Sequence, residues 1–182
     1  MKIKLILIFS AIFILSTAFM LALSGETQRS SQRSENKPRA NQGHIPSGPP
    51  ARTSHRAPRQ GERLPTGHLN DTPHVNHDQW YGHEAPNDPR FRLAHPFSNG
   101  RFAHSGPTFR YEIMRVNAGL HRFWLPDGFC FEVAAWDWPF CADWCWDCGD
   151  DFVIYDDPDH IGWYLLYNIH TGIYVHVLYM GM

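Results

Sequence analysis

Three cysteines crowd into the run Cys141-Ala142-Asp143-Trp144-Cys145-Trp146-Asp147-Cys148, and a fourth, Cys130, lies a short way upstream. Thiols at that spacing have two uses. Oxidised, four cysteines admit three pairings. A bridge from Cys130 into the cluster would staple a loop to a strand, contributing roughly 2 to 4 kcal/mol by restricting the unfolded chain. Ionised, the same thiols wrap zinc or hold an iron–sulfur cluster. Asp143 and Asp147 disfavour the thiolate that a metal requires. Cys130, Cys141, Cys145 and Cys148 are therefore read first as disulfide partners, with structural zinc as the alternative.

A second donor set is acidic: Asp143, Asp147, Asp150, Asp151, Asp156, Asp157 and Asp159. Carboxylates on loops are the hard oxygens that calcium takes, six to eight at a time, although no EF-hand spacing is present. Local turn chemistry, in which aspartate bonds its own backbone, accounts for the same residues. A third set is imidazole. The chain has 12 histidines, with His74, His77 and His83 close together and His95 and His104 beyond. Such groups gather zinc, copper or nickel. No cofactor is expected from these patterns outright; the alternative is a metal, with His74, His77, His83, Asp156, Asp157 and Asp159 as the candidate ligands and calcium and zinc as the candidate ions. His160 and His176 fall near the acidic loops and are expected to be hydrogen-bonded histidines of the core or surface.

Catalytic signatures are missing. There is no glycine-flanked nucleophilic serine, no phosphate-cradling glycine loop and no zinc-protease helix. Carboxylates are numerous, but nothing singles out a glycosidase-like pair. The preferred function is a non-enzymatic binding module, with a metal-binding or metal-sensing protein and an unrecognised hydrolase as alternatives. The formal net charge of −2 conceals a division along the chain. Every lysine and arginine lies at or before Arg122, whereas ten acidic residues from Asp127 to Asp159 follow it. So acidic a body repels phosphate, which argues against nucleic acid as a partner. Aromatic side chains beside carboxylates suit carbohydrate or cationic protein ligands. Trp144, Trp146, Asp150, Asp151 and Trp163 are the candidate partner-binding residues, for a ligand of the cell envelope or the extracellular space.

These groups must be positioned by a small part of the chain. Lys2 and Lys4 precede the apolar run Leu5 to Leu23, and a polar stretch follows from Ser24. That order marks residues 1–24 as a signal peptide, or as an uncleaved N-terminal membrane anchor, since about twenty apolar residues span a bilayer. The charges flanking the run orient it only weakly, but four clustered cysteines suit an oxidising compartment, so a secreted, periplasmic or outward-facing membrane-anchored position is expected for the remainder. Residues 25–79 are rich in Pro, Ser, Arg and His, and offer few apolar side chains to offset the ~1 to 2 kcal/mol of backbone entropy lost per ordered residue. They are expected to be a disordered linker. In residues 80–109, Trp80, Tyr81, Phe91, Phe97, Phe102 and Phe109 alternate with prolines, which predicts an irregular arm laying aromatic rings on the following domain.

The folded body is expected over residues 110–182, mainly β: a small antiparallel meander, roll or half-barrel of about five to six strands, since sequential hairpins pair neighbours. Strands are predicted over 110–116, 121–125, 129–135, 152–155, 163–168 and 173–179. Pro126-Asp127-Gly128 and Ile169-His170-Thr171-Gly172 supply hairpin turns. The last strand is apolar on both faces and is predicted to lie centrally in the sheet or to be sandwiched between layers.

The segments Gly82-His83-Glu84-Ala85-Pro86-Asn87-Asp88-Pro89-Arg90-Phe91 and Val153-Ile154-Tyr155-Asp156-Asp157-Pro158-Asp159-His160-Ile161-Gly162-Trp163-Tyr164 resemble a group of uncharacterised small secreted bacterial proteins of acidobacterial type. The resemblance runs from about Trp80 to the end and implies export and a small β domain, with no activity or site residue attached. The CxxxCxxC spacing is similar to that of radical SAM enzymes over those eight residues alone, and too little chain follows for the barrel such chemistry needs.

Overall fold

The computed structural model describes residues 39–52, 61, 63–64 and 67–182. The expected signal segment 1–24 and linker residues 25–38, 53–60, 62 and 65–66 lie outside the described residues. Among the described residues no helix is long and apolar enough to cross a membrane.

The protein is mainly β. A two-stranded hairpin pairs β1 (His74–Asn76) with β2 (Gln79–Tyr81). Six further strands form one antiparallel sheet: β3 (Arg115–Asn117), β4 (Arg122–Trp124), β5 (Cys130–Val133), β6 (Phe152–Asp156), β7 (Trp163–Asn168) and β8 (Tyr174–Gly181). Their spatial order is β3-β4-β5-β8-β7-β6, so the last strand fills the centre, as its two apolar faces require. A single helical turn, α1 (Trp138–Cys141), follows β5.

Local chemistry places the turns. Between β4 and β5, Asp127 and Gly128 take φ of 67° and 86°, a left-handed pair that aspartate tolerates and glycine adopts without strain. Between β7 and β8 the Asn168 side chain accepts from the backbone N–H of His170 (2.8 Å) and Thr171 (3.1 Å), and Gly172 takes φ +71°. The strand expected over 110–116 is divided. Tyr111 bridges to Phe152 of β6 with both backbone bonds at 2.9 Å, while Met114 N–H donates to Trp124 on the opposite edge. One short segment thus serves both edges of the sheet and curls it into a roll.

The concave side holds the larger core: Phe123, Phe131, Val133, Phe152, Ile154, Tyr164, Leu166, Val175 and Val177, joined by Phe102 from the arm and by Trp144 and Trp146. β6, β7 and the first half of β8 are buried on their other face as well. That second face explains the tyrosines. Tyr155, Tyr167 and Tyr174 bury their rings beneath Val75, Ile45 and Trp80, and their hydroxyls donate to the carbonyls of Pro46 (2.7 Å), His44 (3.4 Å) and Tyr81 (3.0 Å).

The packed region therefore reaches well back from the boundary expected at residue 110, and part of the segment expected to be disordered linker, residues 39–52 and 67–79, lies on the sheet. It has few apolar residues of its own, but it does not need a separate core. It docks Val75 and Ile45 on a face already formed, and its carbonyls receive the tyrosine hydroxyls. In the arm, Phe91 and Phe102 are buried, whereas Phe109 remains 39% exposed.

Candidate metal centre

Three imidazoles and a carboxylate meet on the convex side of the sheet. His176 stands on central strand β8, at an inward position of an otherwise apolar strand, and is wholly buried. Asp157 and His160 come from the β6–β7 loop. There the Asp157 carboxylate accepts from the backbone N–H of Asp159 (2.9 Å) and His160 (3.2 Å), an aspartate turn that sets the two side chains on one side. His83 follows β2 and is brought in by the docked hairpin. One ligand atom from each of His83, Asp157, His160 and His176 lies within 4.8 Å of all the others. The four side chains are 0% or 1% exposed.

The ring nitrogens sort into two sets. Two outer nitrogens are hydrogen-bonded, His176 Nδ1 to Asp137 Oδ2 at 2.7 Å and His160 Nε2 to the carbonyl of Ala85 at 3.1 Å, and His83 Nδ1 lies 3.4 Å from Asp159 Oδ2. The inner nitrogens all face Asp157: His160 Nδ1 at 2.7 Å, His83 Nε2 at 3.3 Å and His176 Nε2 at 3.5 Å. An acceptor on the outer nitrogen fixes a proton there and leaves a lone pair inside. Lone pairs so directed would repel the buried carboxylate, and in the metal-free chain hydrogen bonds from His160 and His83 to Asp157 put protons there instead. The arrangement is stable only with protons or a cation in the middle. His176 Nε2 is buried and makes no hydrogen bond among the described residues.

Charge balance makes the same demand. Asp137, Asp157 and Asp159 are buried together, and no lysine or arginine follows Arg122. Arg90 is engaged with Asp88 (2.8 Å) and Glu84 (3.5 Å) at the rim. Burial opposes ionisation of Asp157, but hydrogen bonds from His160 and His83 outweigh it and hold its carboxyl well below the usual range. Burial likewise disfavours the His160 cation, and the Asp157 carboxylate more than offsets this and raises its pKa. Phe91 stacks on His160 (centroids 4.0 Å apart) and packs against His176 (4.4 Å), so an aromatic ring covers one side of the cluster.

Three imidazoles and one carboxylate are the donors of transition ions such as zinc, and imidazole nitrogens do not suit calcium. Ligands at about 2.1 Å from a shared ion stand at most about 4.2 Å apart. The 3.3 Å separation of His83 from Asp157 Oδ1 and the 3.5 Å separation of His176 from Oδ2 fall within that limit, and the four donors, all within 4.8 Å of one another, would draw slightly together around a shared ion. The 2.7 Å pair is tighter and would open slightly.

No protein-family model, curated protein or solved structure matches this chain. The site is therefore read from its own geometry.

Of the expected metal ligands, His83 and Asp157 are brought into the cluster and Asp159 stands behind His83. His74 and His77 do not join it. Each sits in β1 or the turn after it; His74 is stacked on His68 (4.9 Å), and the exposed His77 bonds Asn76 (2.9 Å). Asp156 is exposed and accepts from Ser105 Oγ at 2.6 Å, because strand alternation turns it to the opposite side from Asp157.

Among the cysteines, Cys145 and Cys148 are bonded to each other, while Cys130 and Cys141 are buried free thiols. The expected staple from Cys130 is thus replaced by a short local loop. Burial first, then Asp137 and Asp143, pushes the Cys141 thiol far up, and burial raises Cys130, so neither supplies a thiolate for zinc. Of the expected partner-binding residues, Trp144, Trp146, Asp150 and Trp163 are inside rather than on the surface. Trp146 Nε1 donates to Cys141, Trp163 Nε1 to Phe91, and Asp150 accepts from Asn168. Asp151 pairs with Arg39 at 3.1 Å.

His160, His176 and Asp137 were not among the expected ligands. The one local signal was a histidine amid apolar residues of a strand bound for the core, where an unsatisfied polar group is costly.

Proposed function

We propose that this is an exported metal-binding protein that holds one divalent transition ion, zinc in the first instance, between His83, Asp157, His160 and His176. One observation carries the reading: three buried imidazoles, two of them hydrogen-bonded from behind by Asp137 and the Ala85 carbonyl and the third lying beside Asp159, turn their inner nitrogens to a single carboxylate. Second-sphere acceptors of this kind orient metal-binding histidines and raise their basicity. Four protein donors shut away from solvent resemble closed structural sites rather than catalytic ones, which keep a position for water or substrate. Binding rather than turnover is the activity this favours. Export rests on the N-terminal apolar run and accords with a bonded cysteine pair in the domain.

The test is elemental analysis of the full chain purified without a polyhistidine tag. About one equivalent of transition metal per chain is expected, and it should be lost in His176→Ala and Asp157→Asn but retained in His77→Ala. A wild-type chain that stays metal-free after incubation with zinc, cobalt and manganese refutes the proposal.

A further inference from the structure

Glu84 follows His83 directly and approaches the cluster from the His176 side. Its Oε2 is buried and accepts no hydrogen bond among the described residues, which is an expensive state for a carboxylate. Across a gap of 3.7 Å stands His176 Nε2, equally buried and also without a hydrogen bond. The gap is too long for a hydrogen bond. It falls within the ~4.2 Å limit for two ligands of one ion with bonds of about 2.1 Å, but Glu84 is not among the donors that all lie within 4.8 Å of one another, so its carboxylate has to swing inward to share an ion with all four.

The rest of the Glu84 carboxylate is tethered differently. Oε1 lies 3.5 Å from Arg90 Nη2, and that guanidinium is fixed by Asp88 (2.8 Å) and lies against the rings of Phe91 (5.5 Å) and Trp136 (5.7 Å). Glu84 also has the most open side chain of the group, 18% exposed against 0% or 1% for the four ligands. It therefore stands at the rim, with one oxygen turned inward and the other on an anchored cation.

Resting on the metal-binding reading above, we infer that Glu84 is a fifth ligand at the mouth of the centre, swinging on the Arg90 tether to close the coordination shell over the ion. Two carboxylates and three imidazoles form a five-coordinate N3O2 shell. That set favours ions that accept five donors, cobalt, manganese and iron(II) as well as zinc, and disfavours copper(I), which prefers softer ligands. A rim ligand that can leave also gives the buried ion a way in and out.

The experiment uses the full chain loaded with Co2+, whose visible absorption is intense in four-coordinate sites and weak in five-coordinate ones. Wild type is expected to give the weak five-coordinate spectrum. Glu84→Gln is expected to give the intense four-coordinate spectrum, to bind Co2+ and Zn2+ 10- to 100-fold more weakly in competition with a chromophoric chelator, and to release the ion faster. Glu84→Asp, which keeps the charge on a shorter stem, should fall between the two. A four-coordinate spectrum for wild type overturns the inference whether or not the variants fold. So does Glu84→Gln with unchanged spectrum and affinity. Both results leave metal binding by the other four residues intact, whereas a wild-type chain that takes up no ion defeats the metal reading as well.

Discussion

Asp137 tests whether the histidine cluster is built for a metal or only for internal ion pairing. Its Oδ2 accepts both the backbone N–H and Nδ1–H of His176, each at 2.7 Å, in a site where Asp137 is 1% exposed. Asp137→Asn keeps the shape and an acceptor oxygen but removes the charge that holds the proton on Nδ1. Charge-assisted bonds are about twice as strong as neutral ones, so the metal-free chain should lose about 2 kcal/mol of stability from the two bonds together. Loss of such a second-sphere carboxylate weakens metal binding 10- to 100-fold, about 1.4 to 2.7 kcal/mol. Zinc affinity is measured by chelator competition at fixed pH and salt. Stability of the EDTA-treated chain is followed by tryptophan fluorescence in urea. Nitrogen-15 shifts of His176 report its tautomer, which a purely structural role would not alter. An affinity within twofold of wild type, with the tautomer unchanged, refutes the reasoning even if the variant is less stable.

Metal removal should be felt by the whole fold, because the ligands come from the docked hairpin, the β6–β7 loop and β8. With free zinc 1,000-fold above Kd the ion contributes about 4 kcal/mol, so EDTA should lower Tm by roughly 8 to 16 °C in scanning calorimetry; no shift would contradict a resident ion. Gly162 takes φ +94°, and a Cβ there would lie 2.9 Å from Leu93 Cδ1 and 3.1 Å from Pro96 Cβ. Gly162→Ala should therefore cost about 2 to 4 kcal/mol in denaturant titration. Burial, with His68 beside it, lowers the His74 pKa to about 4 from 6.5. The unfolded chain then takes up that proton first, so stability is full above pH 6.5 and falls between 6.5 and 4. The loss should be about 2 kcal/mol after allowance for solvent screening, and it should be absent from the stability curve of His74→Gln. Reducing the Cys145–Cys148 bond, which closes a loop of sequence separation 3, should cost only about 2 kcal/mol in a urea titration with and without reductant.

Much of the sheet was written locally. Pro126-Asp127-Gly128 supplies the backbone angles of its turn, Asn168 and Gly172 supply theirs, and the doubly apolar pattern of β8 needed a central place to satisfy it. These are interactions within a few residues, or a demand for burial on two faces, and both can be read from side-chain order. Of the second buried face, only the part on β8 was announced, by apolar residues on both sides of that strand. What covered that face was not legible, since residues 39–52 and 67–79 carry too few apolar side chains to imply order alone and become ordered on a surface made elsewhere. The centre depends on the same step. Asp157 and His160 are neighbours in the chain, but His83 reaches them only because the hairpin docks, and His176 and Asp137 only because β8 inserts between β5 and β7. Composition and spacing determined that the chain would make a curled sheet bearing histidine and aspartate. Which of those side chains share a cavity was decided by long-range strand order and docking, because a ligand set spread from residue 83 to residue 176 has no local interaction to define it.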